Sequence, residues 1–319
     1  KKEDFIMTSV AFAGDEWVRR FNDVIERAEY ITYATDEGFL NDQILFEYCA
    51  SLMSGMAILR ADQLETEPVL LAVLESSDEI KLGGTLANVL NWKKSGYKTE
   101  IIELDKMKTA QHENDVVTTE QNNIAVNEVK NTTLSHSISR NIKTMLFADV
   151  VGFSKLGEEE APSFFVNFLE EIAHIIHSHS VPPTFCNTWG DGIFLVYDEI
   201  EVAADIALYI RDKVKQKNWQ KVGLPEETNI RIGLHTGPVY SANDPIIKQH
   251  NFYGTHVNRA ARIEPITTPG SVFISEQAAS ILTLANNDEF ICGYLGSIDL
   301  AKKYGSGVLY RLRRKGEIE

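Results

Sequence analysis

Apolar positions recur along this chain with helical spacing in some segments and strand-like alternation in others. Between residues 14 and 29, Trp17, Phe21, Val24 and Ile25 fall at i, i+4, i+7 and i+8, which predicts an amphipathic helix. Residues 30–33 read as a short strand. Residues 42–64 read as a long helix, with Asn41 or Asp42 as its N-cap. Residues 68–75 form a continuous apolar run, the pattern of a parallel strand buried on both faces. Gly83, Gly84 and Thr85 then open a helix to about Trp92, Gly96 stops it, and residues 99–104 return as a strand. Helices alternating with strands need crossovers, so residues 1–105 are expected to form a Rossmann-like α/β domain. Six elements are few for such a layer, and the expectation is a partial one.

Residues 106–139 are rich in Asn, Thr, Glu and Val without a clear period, and read as a linker. A second pattern occupies residues 140–319. A strand at 141–150 is followed by an amphipathic helix at 158–178 carrying Phe164, Phe165, Phe168, Leu169, Ile172, Ile175 and Ile176. Residues 184–189 and 193–197 flank Gly190, Asp191 and Gly192, which is hairpin chemistry. A helix at 199–217, a strand at 229–235, a short helix at 254–265 and further strands complete the unit. The order β-α-β-β-α-β predicts a ferredoxin-like sheet with helices on one face.

Composition narrows the function classes. The 319 residues suffice for about two domains. With 44% hydrophobic and 24% charged residues, low-complexity disorder, collagen and a disulfide miniprotein are excluded. The contiguous apolar runs, residues 69–74 and 145–148, are far shorter than the ~20 residues that span a bilayer. A net charge of −15 repels phosphate backbones and anionic lipid, so neither a nucleic-acid nor a membrane partner is expected. Cys49, Cys186 and Cys292 are odd in number and far apart, which suits a reducing cytoplasm. His174, His177 and His179 read as a solvated helix end, not a zinc site.

The chemistry concentrates in the second unit. Asp149 ends a buried strand and Asp191 occupies the hairpin turn. In a ferredoxin-like sheet that strand lies beside the hairpin, so both carboxylates project from one end. Two converging carboxylates repel each other unless a divalent cation holds them. The stretch from Val150 through Gly152 and Phe153 to Ser154 is a strand–Gly–helix turn, a natural cradle for phosphate.

Four segments together resemble the class III nucleotidyl cyclases, the adenylyl/guanylyl cyclase catalytic domain. They are FADVVGFS at 147–154, WGDG at 189–192, RIGLHTG at 231–237 and GTHVNRAAR at 254–262, and the similarity covers about residues 140–313. The resemblance implies that Asp149, Asp191 and the Val150 carbonyl bind two Mg²⁺ or Mn²⁺ ions. It implies that Gly152, Phe153, Ser154 and Arg231 meet the triphosphate of a nucleoside triphosphate substrate. Asn258 matches the ribose-orienting Asn, Arg262 the transition-state Arg, and Lys303 the late phosphate Lys, although Ala301, Lys302, Lys303 and Tyr304 stand where a Lys-Gly pair is usual. His235 and His256 receive no role as general base. In this family the site lies between two catalytic domains, so one copy of each motif implies a homodimer. Asn187 and Asn251 stand at the base-reading positions and match neither the adenylyl nor the guanylyl pattern. ATP is the first expectation; a UTP or CTP cyclase and an inactive nucleotide-binding regulatory dimer are the alternatives. The strand at residues 69–74 with Gly83, Gly84 and Thr85 resembles nucleotide-sensing domains of the SLOG type, which implies a nucleotide-like ligand for residues 1–105.

Overall fold

The protein is described by a computed structural model covering residues 2–35, 37–38, 43–75, 80, 83–106, 139–285 and 288–317. The chain forms two compact units, Lys1–Ala50 with Val69–His136, and Ser51–Pro68 with Ser137–Glu319. The expected N-cap at Asn41 or Asp42 and residues 107–138 of the expected linker lie outside the described residues.

In the smaller unit, helix α1 (Asp15–Arg27) carries the amphipathic pattern. Strand β1 (Val69–Leu74), a helix at Thr85–Lys94 and strand β2 (Lys98–Glu103) form a β-α-β crossover whose strands pair in parallel. Trp92 is buried and its Nε1 donates to the Lys98 carbonyl at 3.0 Å, which closes the helix onto β2. Two expectations fail here. Residues 30–33 form no strand, and Tyr30 and Tyr33 are exposed. β-Propensity does not hold a strand whose N–H and C=O groups have no ladder to join. Strand β1 is parallel but not buried on both faces: Ala72 is buried while Val69, Leu71 and Val73 are exposed. A two-stranded sheet gives its apolar run too few neighbours to cover it.

Helix α2 (Ile44–Gln63) enters the larger unit at Ser51. Among the described residues it is the one helix long and apolar enough to cross a membrane by length and composition. Contiguous runs did not reveal it, because Glu47, Ser51, Ser54 and Arg60 interrupt them. Its Leu52, Ile58, Leu59 and Ala61 are buried.

The larger unit is built on an eight-stranded sheet. Strand β3 (Ser139–Val151) lies between β5 (Gly192–Tyr197) and β6 (Asn229–Asn243), with β4 (Phe185–Trp189) outside β5. All three pairings are antiparallel, and the order β4-β5-β3-β6 is the expected ferredoxin-like core. Beyond β6 come β8 (Ser271–Ser275), β10 (Ser306–Arg314) and the edge strand β9 (Phe290–Asp299), while β7 (His250–Tyr253) pairs with β6 as a hairpin.

Alternation along the strands feeds both faces. Leu146, Ala148, Ile193, Leu195, Ile232 and Leu234 enter the main core with the helices at Glu170–Ser178, Ile200–Gln216 and Glu276–Leu284. Phe164 and Phe168 stack at 5.1 Å in this core, and each buried aromatic of this kind contributes roughly 1.5–3 kcal/mol. The opposite face carries Met145, Phe147, Phe194, Val196 and Val239 against Ala260 of the helix at Thr255–Ile263. Helices therefore cover both faces, not one as expected. That helix has its own apolar stripe, Ala260 and Ile263, and an apolar stripe must be buried somewhere.

Candidate active site

Asp149 stands two residues before the end of β3 and faces Arg231 across the β3–β6 ladder. Arg231 Nη2 donates to Asp149 Oδ2 at 2.5 Å. The β4–β5 hairpin closes through Gly190 and Asp191, with Trp189 paired to Gly192. Gly190 has φ +67°, which the first position of such a two-residue turn requires. A Cβ at Gly192 would lie 2.6 Å from Trp189 Nε1, so any side chain there would have to push the indole aside. Since β5 pairs with β3 up to Ala148 opposite Ile193, this turn comes out beside Asp149. The two carboxyl groups are within hydrogen-bonding reach. Burial, then the charge of Asp149, pushes Asp191 up to about 6.

A third carboxylate joins them that the sequence pattern did not single out. Glu264 follows Ile263 at the helix end, and its Oε1 lies 3.1 Å from Arg231 Nε. This is an ion pair without hydrogen-bond alignment. Burial first, then the charge of Asp149, pushes Glu264 up to about 7. With all groups ionised, three carboxylates face one guanidinium, leaving two negative charges uncompensated. That excess is what a divalent cation neutralises, so the donor set fits the metal ions implied by the sequence. Among the described residues no group of three or more His, Cys, Asp or Glu is arranged to hold a metal. A cation here would rest on two aspartates, the backbone and the substrate's own oxygens.

The phosphate turn borders this cluster. Gly152 has φ +85°, and Lys155 N donates to its carbonyl at 2.9 Å. Phe153 anchors the turn by packing on Phe164 at 4.7 Å, and its ring is 3.9 Å from where a Gly190 Cβ would lie. Val150 is buried and Ser154 exposed.

The remaining candidates form a second group. Asn258 and Arg262 are four apart on the helix at Thr255–Ile263 and share one side of it. Lys303 is exposed on the turn between β9 and β10, where Lys302 and Lys303 both have φ +58°. Tyr304 Oη donates to the Thr255 carbonyl at 3.1 Å, which pins this turn to the first residue of the helix. Asn187 is exposed on β4 and accepts from Thr188 N at 3.0 Å. Asn251, on β7, accepts from Phe252 N at 2.8 Å and also bonds Asp244, which takes Tyr253 Oη at 2.7 Å.

Within one chain the two groups are not bonded to each other. Among the described residues no hydrogen bond or ion pair joins Asn258, Arg262 or Lys303 to Asp149, Asp191 or Arg231. Arg262 and Glu264 are two positions apart, about 200° around a helix, so the residue that reaches Arg231 points away from Arg262. His235 and His256 lie elsewhere again. His235 Nε2 bonds His256 Nδ1 at 2.8 Å and His235 Nδ1 bonds Ser275 Oγ at 2.7 Å, with both rings buried. Burial pushes both well down, His256 to about 3, so the pair is neutral and structural.

The family model for the adenylate and guanylate cyclase catalytic domain matches residues 137–313. The chain belongs to this family, and that region is a class III nucleotide cyclase domain. Guanylate cyclase 2G of Mus musculus is 30% identical over 154 residues, covering 44% of this chain and 14% of the relative. The pH-sensitive adenylate cyclase MT1302 of Mycobacterium tuberculosis (strain CDC 1551 / Oshkosh) is 27% identical over 173 residues, covering 54% and 40%. The chain thus spans less than half the length of these curated relatives. The solved adenylyl cyclase CyaB from P. aeruginosa aligns over 55% of this chain and 95% of its own, with TM-score 0.49 and 21% identity.

Proposed function

We propose that this chain converts a nucleoside triphosphate, ATP first, into its 3′,5′-cyclic nucleotide and pyrophosphate. The reaction runs at two equivalent sites of a homodimer in the cytoplasm, with two Mg²⁺ or Mn²⁺ ions per site. The observation that carries this reading is the convergence of Asp149, Asp191 and Arg231 at one end of a cyclase-family sheet. When bound, the ions lower the pKa of the ribose 3′-hydroxyl and offset the triphosphate charge.

The chain's own residues do the rest. Asp149, Asp191 and the Val150 carbonyl hold the cations. Backbone N–H groups of Gly152, Phe153 and Ser154, with Arg231, receive the phosphates. The second subunit brings Asn258 to the ribose, and Arg262 and Lys303 to the charge that develops on the phosphates. The 3′ oxygen bonds to the α-phosphorus, the bond from that phosphorus to the bridging oxygen breaks, and pyrophosphate leaves. The hydroxyl proton passes to solvent. Asn187 and Asn251 each offer a donor and an acceptor, which suits the N6 and N1 edge of adenine. The smaller unit, on this reading, binds a nucleotide-like ligand that sets activity.

The decisive assay gives purified protein ATP, GTP, CTP and UTP in parallel with Mn²⁺ and resolves the cyclic products. Cyclic AMP from ATP is expected. A cyclic product from another triphosphate alone overturns the base assignment, and none from any of the four overturns the cyclase reading.

A further inference from the structure

Arg231 is shared between two carboxylates from different elements. Its Nη2 is on Asp149 of β3 at 2.5 Å, and its Nε is 3.1 Å from Glu264, beyond the helix that carries Arg262. The two contacts are unequal: the first is a hydrogen bond, the second an ion pair out of line. Glu264 is largely enclosed, with 13% of its side chain exposed, so its carboxylate has little water to turn to. Asp149 is also a proposed cation ligand, and a cation that coordinates its Oδ2 competes with the guanidinium for that oxygen. A cation bound through Oδ2 displaces Arg231 from Asp149, and a guanidinium displaced in a half-buried site needs another partner.

We propose that Glu264 is a positioning residue: it takes over Arg231 when a cation occupies Asp149, keeping the guanidinium at the site for the triphosphate. The inference rests on the cyclase reading, because it needs the cation at Asp149. Glu264 would act through Arg231, not by attracting the cation with its own charge, and this difference is measurable.

The experiment is Mn²⁺ binding to the full chain without nucleotide, read from the electron paramagnetic resonance signal of free Mn²⁺. Glu264→Gln is expected to weaken binding about tenfold, but within about threefold when Arg231→Gln is already present, because the competing guanidinium is gone. Glu264→Asp keeps the charge but withdraws the carboxylate from Arg231, and is expected to weaken binding as Glu264→Gln does. The same loss in both Arg231 backgrounds, or unaltered binding in Glu264→Asp, overturns the proposal and leaves the cyclase reading intact. A full chain that takes up no Mn²⁺ without nucleotide also overturns this proposal, and the cyclase reading is decided separately by turnover of the four triphosphates. Thermal midpoints check folding; should Glu264→Gln unfold early, binding by the isocharged Glu264→Asp decides between the outcomes.

Discussion

Arg262 contributes little to the folded chain, and the role proposed for it lies in the reaction. Its hydrogen bond is a long one, 3.4 Å from Nη1 to the Ala261 carbonyl. Removing it therefore costs the fold little. In the proposed site it faces charge that develops only as the phosphorus–oxygen bond breaks, and such charge stabilisation contributes to kcat more than to KM. Arg262→Ala is expected to lower kcat by about 10²–10³-fold with KM changed little and the thermal midpoint unmoved. Steady-state kinetics beside a melting curve check this; a fall in the midpoint matching the fall in activity would assign Arg262 to the fold. Asp149, Asp191, Arg231, Asn258 and Arg262 were legible as candidates because each lies inside a short ordered segment. Glu264 was not, although it carried a local signal. A carboxylate at a helix C-terminus opposes the macrodipole by about 0.3–1 kcal/mol, which points to a cation nearby. The cation is on β6, 33 residues earlier, and sequence spacing does not show that register.

At the scale of elements, the sequence pattern located β3, β4 and β5 to within about two residues and the start of β6, but it stopped at residue 235 while β6 runs on to Asn243. It misjudged residues 30–33 and β1, where local preference is not backed by neighbouring strands. Two tertiary features were beyond its reach. Gly55 of α2 lies so close to the helix at Glu276–Leu284 that a Cβ would be 2.0 Å from the Ser280 carbonyl oxygen. Helix propensity alone favours Gly→Ala by about 1 kcal/mol, but forcing two backbones apart costs roughly 1–3 kcal/mol. Packing wins, so Gly55→Ala should lower the thermal midpoint, and a rise would show that the helices separate freely. The second feature is the buried His235–His256 pair, which also faces Arg259 and Arg140. Unfolded histidines titrate near 6.5, whereas His256 does so at about 3 in the fold. Between these values the unfolded chain binds more protons, so stability is full above about pH 6.5 and falls as pH drops. His256 alone should cost about 2 kcal/mol by pH 5. Thermal midpoints from pH 7.5 to 5 measure the slope, which a His235→Gln, His256→Gln double variant should flatten.

For the molecule as a whole, the question is how the six proposed site groups would reach one substrate. Asp149, Asp191 and Arg231 sit together, while Asn258, Arg262 and Lys303 sit with the helix and the turn pinned to it by Tyr304. Among the described residues no bond links the two groups within one chain, and about 200° of helix rotation separates Arg262 from the residue that reaches Arg231. In the proposed two-fold dimer each subunit would lend its second group to the other's first. The arrangement has a consequence that a self-contained site lacks. Asp149→Ala protein keeps an intact second group and Arg262→Ala protein an intact first group, so each homodimer is disabled at both sites. Mixed dimers hold one site with neither substitution. Random exchange of equal amounts makes about half the dimers mixed, each with one of two sites intact, so turnover per chain should recover to about one quarter of the unsubstituted protein. The mixture is assayed after subunit exchange, against each variant alone. Recovery near that fraction places the site across the dimer, and a mixture no more active than the sum of its parts confines catalysis to a single subunit.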